Sequence, residues 1–189
     1  MERHEILDRA LTAFFRFGYR KSSMDAIAQT VGLSRQSLYN HFDSKRELFR
    51  ATMIHAFSSS AERAATILAD EALPLPERLL EAFDTWAGVH VEALRASPFA
   101  ADVLMTASEE FSEENADAHA ALHKQISEAL APTHAEVSPD ISTALTLASK
   151  GLCHGTADRA GYREEMTTVI RVALSHTPSG DSKKRRKTS

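Results

Sequence analysis

Apolar side chains fall three and four residues apart along most of this chain. They do not alternate with polar ones over a strand's length, so the pattern predicts helices throughout. The first spans about Glu2 to Phe17, burying Ile6, Ala10, Ala13, Phe14 and Phe17 and leaving Arg3, Arg9 and Arg16 outside. Ile27, Ala28 and Val31 stripe a short second helix that ends at Gly32, a residue suited to a left-handed helix terminus. The third, from about Arg35 to Phe42, differs in kind. Only Leu38 and Phe42, one turn apart, are placed to face inward. Arg35, Gln36, Ser37, Tyr39, Asn40 and His41 are left outward, and each can donate or accept a hydrogen bond. A long helix then runs from Ser44 through Met53, Phe57 and Ile67 to about Asp70. Prolines and polar breaks divide the remainder into Pro76 to about Ala96, Phe99 to about Glu110, Glu113 to Ala131, Pro139 to about Asp158, and Gly161 to about His176. The fold class expected is all-α, with about nine helices.

Helix starts sharpen the picture near the N-terminus. Ser22 or Ser23 caps the second helix, and Ser22 with Asp25 fits a capping box. Ser34 caps the third, and Ser44 with Glu47 makes another box for the fourth. Lys45 sits in that helix's first turn, where the helix dipole disfavours a cation, so its placement points to an external anion such as phosphate. Two short helices around a Gly turn, the second with a polar outer face, form the pattern by which a helix-turn-helix offers a recognition helix to the DNA major groove. Arg35, Gln36, Ser37 and Tyr39 are then placed for base edges or adjacent phosphates, beside Ser34 and Asn40 on the same helix. Ser23, His41 and Lys45 are placed to position the backbone.

Residues 6 to 49 resemble the DNA-binding domain of the TetR (tetracycline-repressor-like) family of bacterial regulators. The matching elements are Ile6-Leu7, Ala10, Phe14, Gly18-Tyr19, Ile27-Ala28, Val31-Gly32-Leu33-Ser34, Leu38-Tyr39-Asn40-His41-Phe42, Lys45 and Leu48-Phe49. Ser22-Ser23 departs from the threonines frequent there but keeps the hydroxyls. The resemblance covers about the first quarter of the chain. It implies a DNA-binding domain over 1–49, an effector-binding and dimerisation domain over 50–176, and a two-fold dimer built from the last two long helices. Its expected partners are a palindromic double-stranded DNA operator and a small-molecule effector enclosed by the middle helices, with no cofactor.

Charge supports one end docking on DNA. The net charge is −4, yet residues 1–55 hold nine Lys/Arg against six Asp/Glu, whereas 56–177 hold eight against nineteen. The basic footprint coincides with the helix-turn-helix, and the acidic body is repelled by a duplex. A basic run, Lys183-Lys184-Arg185-Arg186-Lys187, lies in a tail over 177–189 that reads as disordered and solvated. With 43% hydrophobic residues the chain can bury a core, and its single cysteine, Cys153, fits a reducing cytoplasm. No leader or membrane span is expected from the apolar pattern.

The body offers two further patterns. Ala144, Ala148, Gly151 and Gly155 lie on one face of the eighth expected helix, and Tyr162, Met166, Val169, Ile170 and Ala173 stripe the ninth. They fit either packing within the chain or a dimer interface, and the resemblance favours the latter. His90 sits on an apolar face, and His119 and His123 lie one turn apart beside Leu122 and Ile126. Core histidines, an effector pocket and a metal site remain open, the last lacking a companion Glu or Cys pair. Phe83, Trp86, Phe99, Met105 and Phe111 are candidates for the apolar wall of a pocket. No phosphate loop, nucleophile elbow or paired-cysteine motif argues for an enzyme, and no metal site is expected. The expected function is a homodimeric repressor released from its operator by an effector. The alternative is a DNA-binding dimer without an effector, controlled by a protein partner or acting as an activator.

Overall fold

The computed structural model describes residues 1–175, apart from the side chains of residues 114 and 115. The basic run at 183–187 lies outside them. The described chain is helical: α1 (Arg3–Phe17), α2 (Met24–Val31), α3 (Arg35–Tyr39), α4 (Lys45–Leu68), α5 (Leu75–Trp86), a 3-10 turn (Gly88–His90), α6 (Val91–Ala96), α7 (Ala100–Glu110), α8 (Ser112–His134), α9 (Ser138–Gly155) and α10 (Arg159–Ser175). All nine expected helices are present. One of them, Pro76 to Ala96, is divided into α5 and α6.

The break falls at a glycine packed tightly against α10. A Cβ on Gly88 would lie 2.9 Å from the Tyr162 ring and would collide with the Asp84 carboxylate. The backbone there passes close against α10, and Ala87 leaves helical geometry at φ −130°. Another difference is that α8 continues through Pro132 to His134 rather than stopping before it. Proline forfeits a helical hydrogen bond, and side chains of the last turn make bonds of their own. The Thr133 hydroxyl donates to the Leu130 carbonyl, and His134 Nε2 lies 3.1 Å from the Leu174 carbonyl of α10.

Two apolar cores form. The first joins Ile6, Ala10 and Phe14 of α1 to Ile27 and Val31 of α2, Leu38 and Phe42 around α3, and Leu48, Phe49 and Met53 of α4. Val103 and Ala107 of α7 and Phe111 just after it complete it, so α7 packs on the N-terminal unit. The second core joins α5, α8, α9 and α10 through Leu79, Phe83, Leu122, Ile126, Leu145, Tyr162, Met166 and Ile170. The 24 residues of α4, roughly 36 Å at 1.5 Å per residue, run unbroken from the first core to the second. The expected domain boundary near residue 49 therefore falls inside a helix rather than in a linker.

α5 and α10 are clasped by charge. The buried Asp84 carboxylate accepts from Arg159 at 2.7 and 3.0 Å and from Arg163 at 2.5 Å, and Arg163 also pairs with Glu81. Burial alone would raise the Asp84 pKa, but the hydrogen bonds and charges of the two arginines outweigh it and hold the carboxyl below its ordinary value. Beside the clasp, the buried Tyr162 hydroxyl lies 2.7 Å from Ser149 Oγ and donates to the Phe83 carbonyl.

Candidate nucleic-acid interface

The helix-turn-helix is built by local rules. Ser23, not Ser22, caps α2, its hydroxyl accepting from the Ala26 N–H at 3.2 Å. Ser22 is buried and donates to the Tyr19 carbonyl, so the expected box between Ser22 and Asp25 does not form. Gly32 closes α2 at φ 85°, a left-handed conformation open to glycine. Arg9 lies on the outer face of α1 as expected and donates to the Val31 carbonyl, satisfying part of the α2 terminus. Ser34 caps α3 by accepting from the Ser37 N–H, and Ser44 caps α4 by accepting from the Glu47 N–H. The Glu47 carboxylate reaches back one residue further than expected, to the Asp43 N–H.

α3 is five residues long, shorter than expected, and Asn40 and His41 form a turn after it. Leu38 and Phe42 are 0% and 1% exposed, and they anchor the segment in the core. Arg35, Gln36, Asn40 and His41 are exposed, while Ser37 and Tyr39 are half-buried. The exposed groups are ordered among themselves. Arg35 donates to Asp25 of α2 at 2.9 Å, and its guanidinium lies 5.5 Å from the Tyr39 ring centre. Gln36 donates to the Asn40 side chain at 3.2 Å. Arg3 donates to the His41 carbonyl and covers the Phe42 ring, fixing the end of the segment to α1.

Lys45 requires a correction. Its ammonium donates to the carbonyls of Tyr19 at 2.8 Å, Ser22 at 3.0 Å and Arg20 at 3.4 Å, and lies 4.8 Å from the Tyr19 ring centre. The unfavourable first-turn cation is thus compensated by backbone carbonyls of the α1–α2 connection. The external anion that its position suggested is not needed to explain it.

The residues expected around an effector do not form one wall. Phe83 is buried in the body core and Phe111 in the N-terminal core. Phe99 packs against Gly18 at the end of α1, and Met105 is 60% exposed on α7. His123 turns to Thr143 of α9 at 3.0 Å. Trp86 and His119 do come together, edge to face at 5.0 Å, joined by Phe57 of α4 at 6.0 and 6.2 Å. Phe57 had no distinguishing signal in the sequence beyond its place on the apolar stripe of α4. Burial, then the charge of Arg63, lowers the His90 pKa; burial, then Lys150, lowers that of His119. Both rings are therefore biased to the neutral form.

The expected dimer residues also separate. Tyr162, Met166 and Ile170 are buried against α5 and α9 within the chain, at 0%, 0% and 1% exposure, so they cannot form an outer surface. The periodicity marked a buried stripe, and the core of the same chain takes it. Val169 and Ala173 are half-buried at its margin. Ala144, Gly151 and Gly155 are exposed and Ala148 half-buried; space beside both glycines is open, and Leu147 of the same helix is 65% exposed. Among the described residues no group of three His, Cys, Asp or Glu is placed to hold a metal, and no helix is long and apolar enough to cross a membrane.

Comparison with known proteins agrees with this geometry. Residues 6–52 match the family described as bacterial regulatory proteins, tetR family. Over 54 residues the chain is 35% identical to the biofilm operon icaADBC HTH-type negative transcriptional regulator IcaR of Staphylococcus epidermidis, covering 29% of each chain. Over 49 residues it is 39% identical to IcaR of Staphylococcus aureus strain Newman, covering 26% of each. The chain thus spans less than a third of the length of the curated relatives it matches. Similarity of fold extends further. A TetR-like transcriptional regulator from Rhodococcus sp. RHA1 superposes with a TM-score of 0.67 at 22% identity, over 92% of this chain and 95% of that one. The regulator FadR of Bacillus subtilis, solved in complex with stearoyl-CoA, gives 0.67 at 11% identity over 92% and 98%. Residues 6–52 thus carry the helix-turn-helix pattern of the tetR family of bacterial regulatory proteins, and the fold along most of the chain is similar to that of the solved regulators.

Proposed function

We propose that this protein is a cytoplasmic DNA-binding transcriptional regulator, acting as a homodimeric repressor on a palindromic operator. One observation carries the reading. α3 is capped by Ser34 and anchored by Leu38 and Phe42, while Arg35, Gln36 and Asn40 are presented to solvent with no role in either core. The outer face of a helix so placed contributes little to stability and is shaped for an external hydrogen-bonding surface. Gln36 favours adenine and Arg35 guanine; Ser23, Ser37, Tyr39 and His41 flank them toward phosphates. A single short helix reads few base pairs, so two copies related by a two-fold axis double the contacts. The exposed Ala144, Leu147, Gly151 face of α9 supplies a close-approach surface for that pairing. The test is the double variant Gln36→Ala/Tyr39→Ala. It should keep the helical circular dichroism of the parent and lose sequence-selective DNA binding; retained selectivity would defeat the reading.

Release by a small molecule is the finer part of the proposal. Phe57, Trp86 and His119 join α4, α5 and α8, and a ligand inserted among them would tilt α4 and change the spacing of two recognition helices. The positive charges of Arg63 and Lys150 near His90 and His119 favour an anionic or ester-bearing ligand. FadR of Bacillus subtilis was solved with stearoyl-CoA, which makes acyl-CoA thioesters the first class to screen. Trp86 is the chain's single tryptophan, so its emission reports entry directly. An effector that shifts the emission yet leaves operator affinity unchanged would contradict release. The dispersal of the other expected wall residues between two cores favours a second reading. In it the DNA-binding dimer has no small-molecule effector and is controlled by a protein partner, or activates rather than represses.

A further inference from the structure

The Asp25–Arg35 pair has no evident use in holding the fold together. Its side chains are 53% and 61% exposed, and an ion pair so open to water adds little stability. Nor is it required by the helices it joins. Ser23 already caps α2 and Ser34 already caps α3. What the pair does is place one guanidinium, the only cationic side chain of α3, with Nη1 on the Asp25 carboxylate at 2.9 Å and the carbon centre 5.5 Å from the Tyr39 ring centre.

We propose that Asp25 is a positioning residue for DNA recognition, which holds Arg35 back from indiscriminate phosphate contact and so sharpens sequence selectivity. This rests on the reading of α3 as the DNA-contacting helix. A free arginine on that surface would seek any phosphate, because phosphate attraction is independent of sequence. Leaving Asp25 for a phosphate would strand a carboxylate beside the polyanion. The pair as a unit is nearly neutral toward the backbone. Arg35 engages only one donor in the pair, and its remaining fork can still meet the two acceptors of a guanine edge, the one arrangement that compensates fully. Asp25 therefore weakens non-specific binding more than specific binding.

The experiment measures fluorescence-anisotropy binding to a selected operator duplex and a scrambled duplex across a salt series, for the parent, Asp25→Asn, Asp25→Glu, Arg35→Ala and the double variant Asp25→Asn/Arg35→Ala. Thermal midpoints report folding of each. For Asp25→Asn the salt slope on scrambled DNA should steepen by about 0.9, equivalent to roughly eightfold tighter scrambled binding at 0.1 M salt when referenced to 1 M. The operator-to-scrambled ratio should fall by a similar factor. Asp25→Glu should keep the parental slope, and the gain should vanish when Arg35 is also removed. A parent that binds DNA with an unchanged slope in Asp25→Asn, or with equal weakening on both duplexes, overturns the proposal alone. Salt-independent or absent binding by parent and variants alike overturns the DNA-interface reading and the proposal with it.

Discussion

Lys45 illustrates how one side chain can look like a ligand contact and be a strut. The carbonyls that receive its ammonium belong to Tyr19, Arg20 and Ser22, more than twenty positions earlier, and backbone oxygens leave no mark in a sequence. Lys45→Ala should lower the stability of the N-terminal unit by about 1–2 kcal/mol, the value of charged hydrogen bonds discounted for partial exposure. Chemical denaturation checks this, and the salt slope of DNA binding should stay at its parental value. Gln36→Ala should behave in the opposite way. It should leave stability intact and relax base preference at one operator position by about 1–3 kcal/mol, as read from binding to single-base operator variants. The exposed α3 residues were legible because polarity on a short helix between two caps is a local pattern. The cap was open between Ser22 and Ser23 because adjacent serines offer the same hydroxyl, and only folding decides which one faces inward. His90 carries a pH prediction. Its folded pKa lies below the ordinary value of 6.5, so the unfolded chain binds the proton first. Its contribution to stability is present above about pH 6.5 and is lost as the pH falls from there through the folded value. Denaturation midpoints between pH 7.5 and 5.5 should decline in the parent and decline less in His90→Gln.

At the scale of elements, every helix was legible from its period, while the breaks were less so. The Pro76–Ala96 stretch keeps a helical pattern throughout, and the group that excludes a side chain at the Gly88 break, the Tyr162 ring, lies more than seventy residues away. Pro132 gave the opposite error, since a tertiary contact from His134 to α10 lets the helix run on. The stripe of Tyr162, Met166 and Ile170 was read correctly as apolar, but periodicity does not say which surface covers it, and α5 does. The clasp between α5 and α10 left only scattered charges in the sequence. Asp84→Ala leaves Arg159 and Arg163 without their buried partner and should destabilise the body by about 2–3 kcal/mol, less than a fully buried pair because both arginines reach water. Urea unfolding followed by Trp86 emission reads this directly. A change below about 0.5 kcal/mol would show that the clasp only decorates the packing.

For the whole molecule, the sequence separated a basic reading end from an acidic body, and the structure joins them through the unbroken α4 and through α7, which packs on the N-terminal core. That second link was hidden, because Val103, Ala107 and Phe111 look like any helical stripe. The proposed dimer makes its own prediction. Leu147→Glu places a charge on the exposed face of α9 and should convert the protein to a monomer in sedimentation, with operator affinity falling at least tenfold while the helical signal persists. An unchanged dimer would move the interface elsewhere on the surface. The central claim, that α3 reads DNA as one of a symmetric pair, is tested most directly by selecting binding sites for the purified protein from a random duplex pool and measuring the enriched duplex in a salt series. The expected result is a palindrome with half-sites about one helical turn apart or a multiple of it, bound by two chains and weakening as salt rises. A pool that shows no enrichment, together with equal binding to every duplex at every salt concentration, would contradict it.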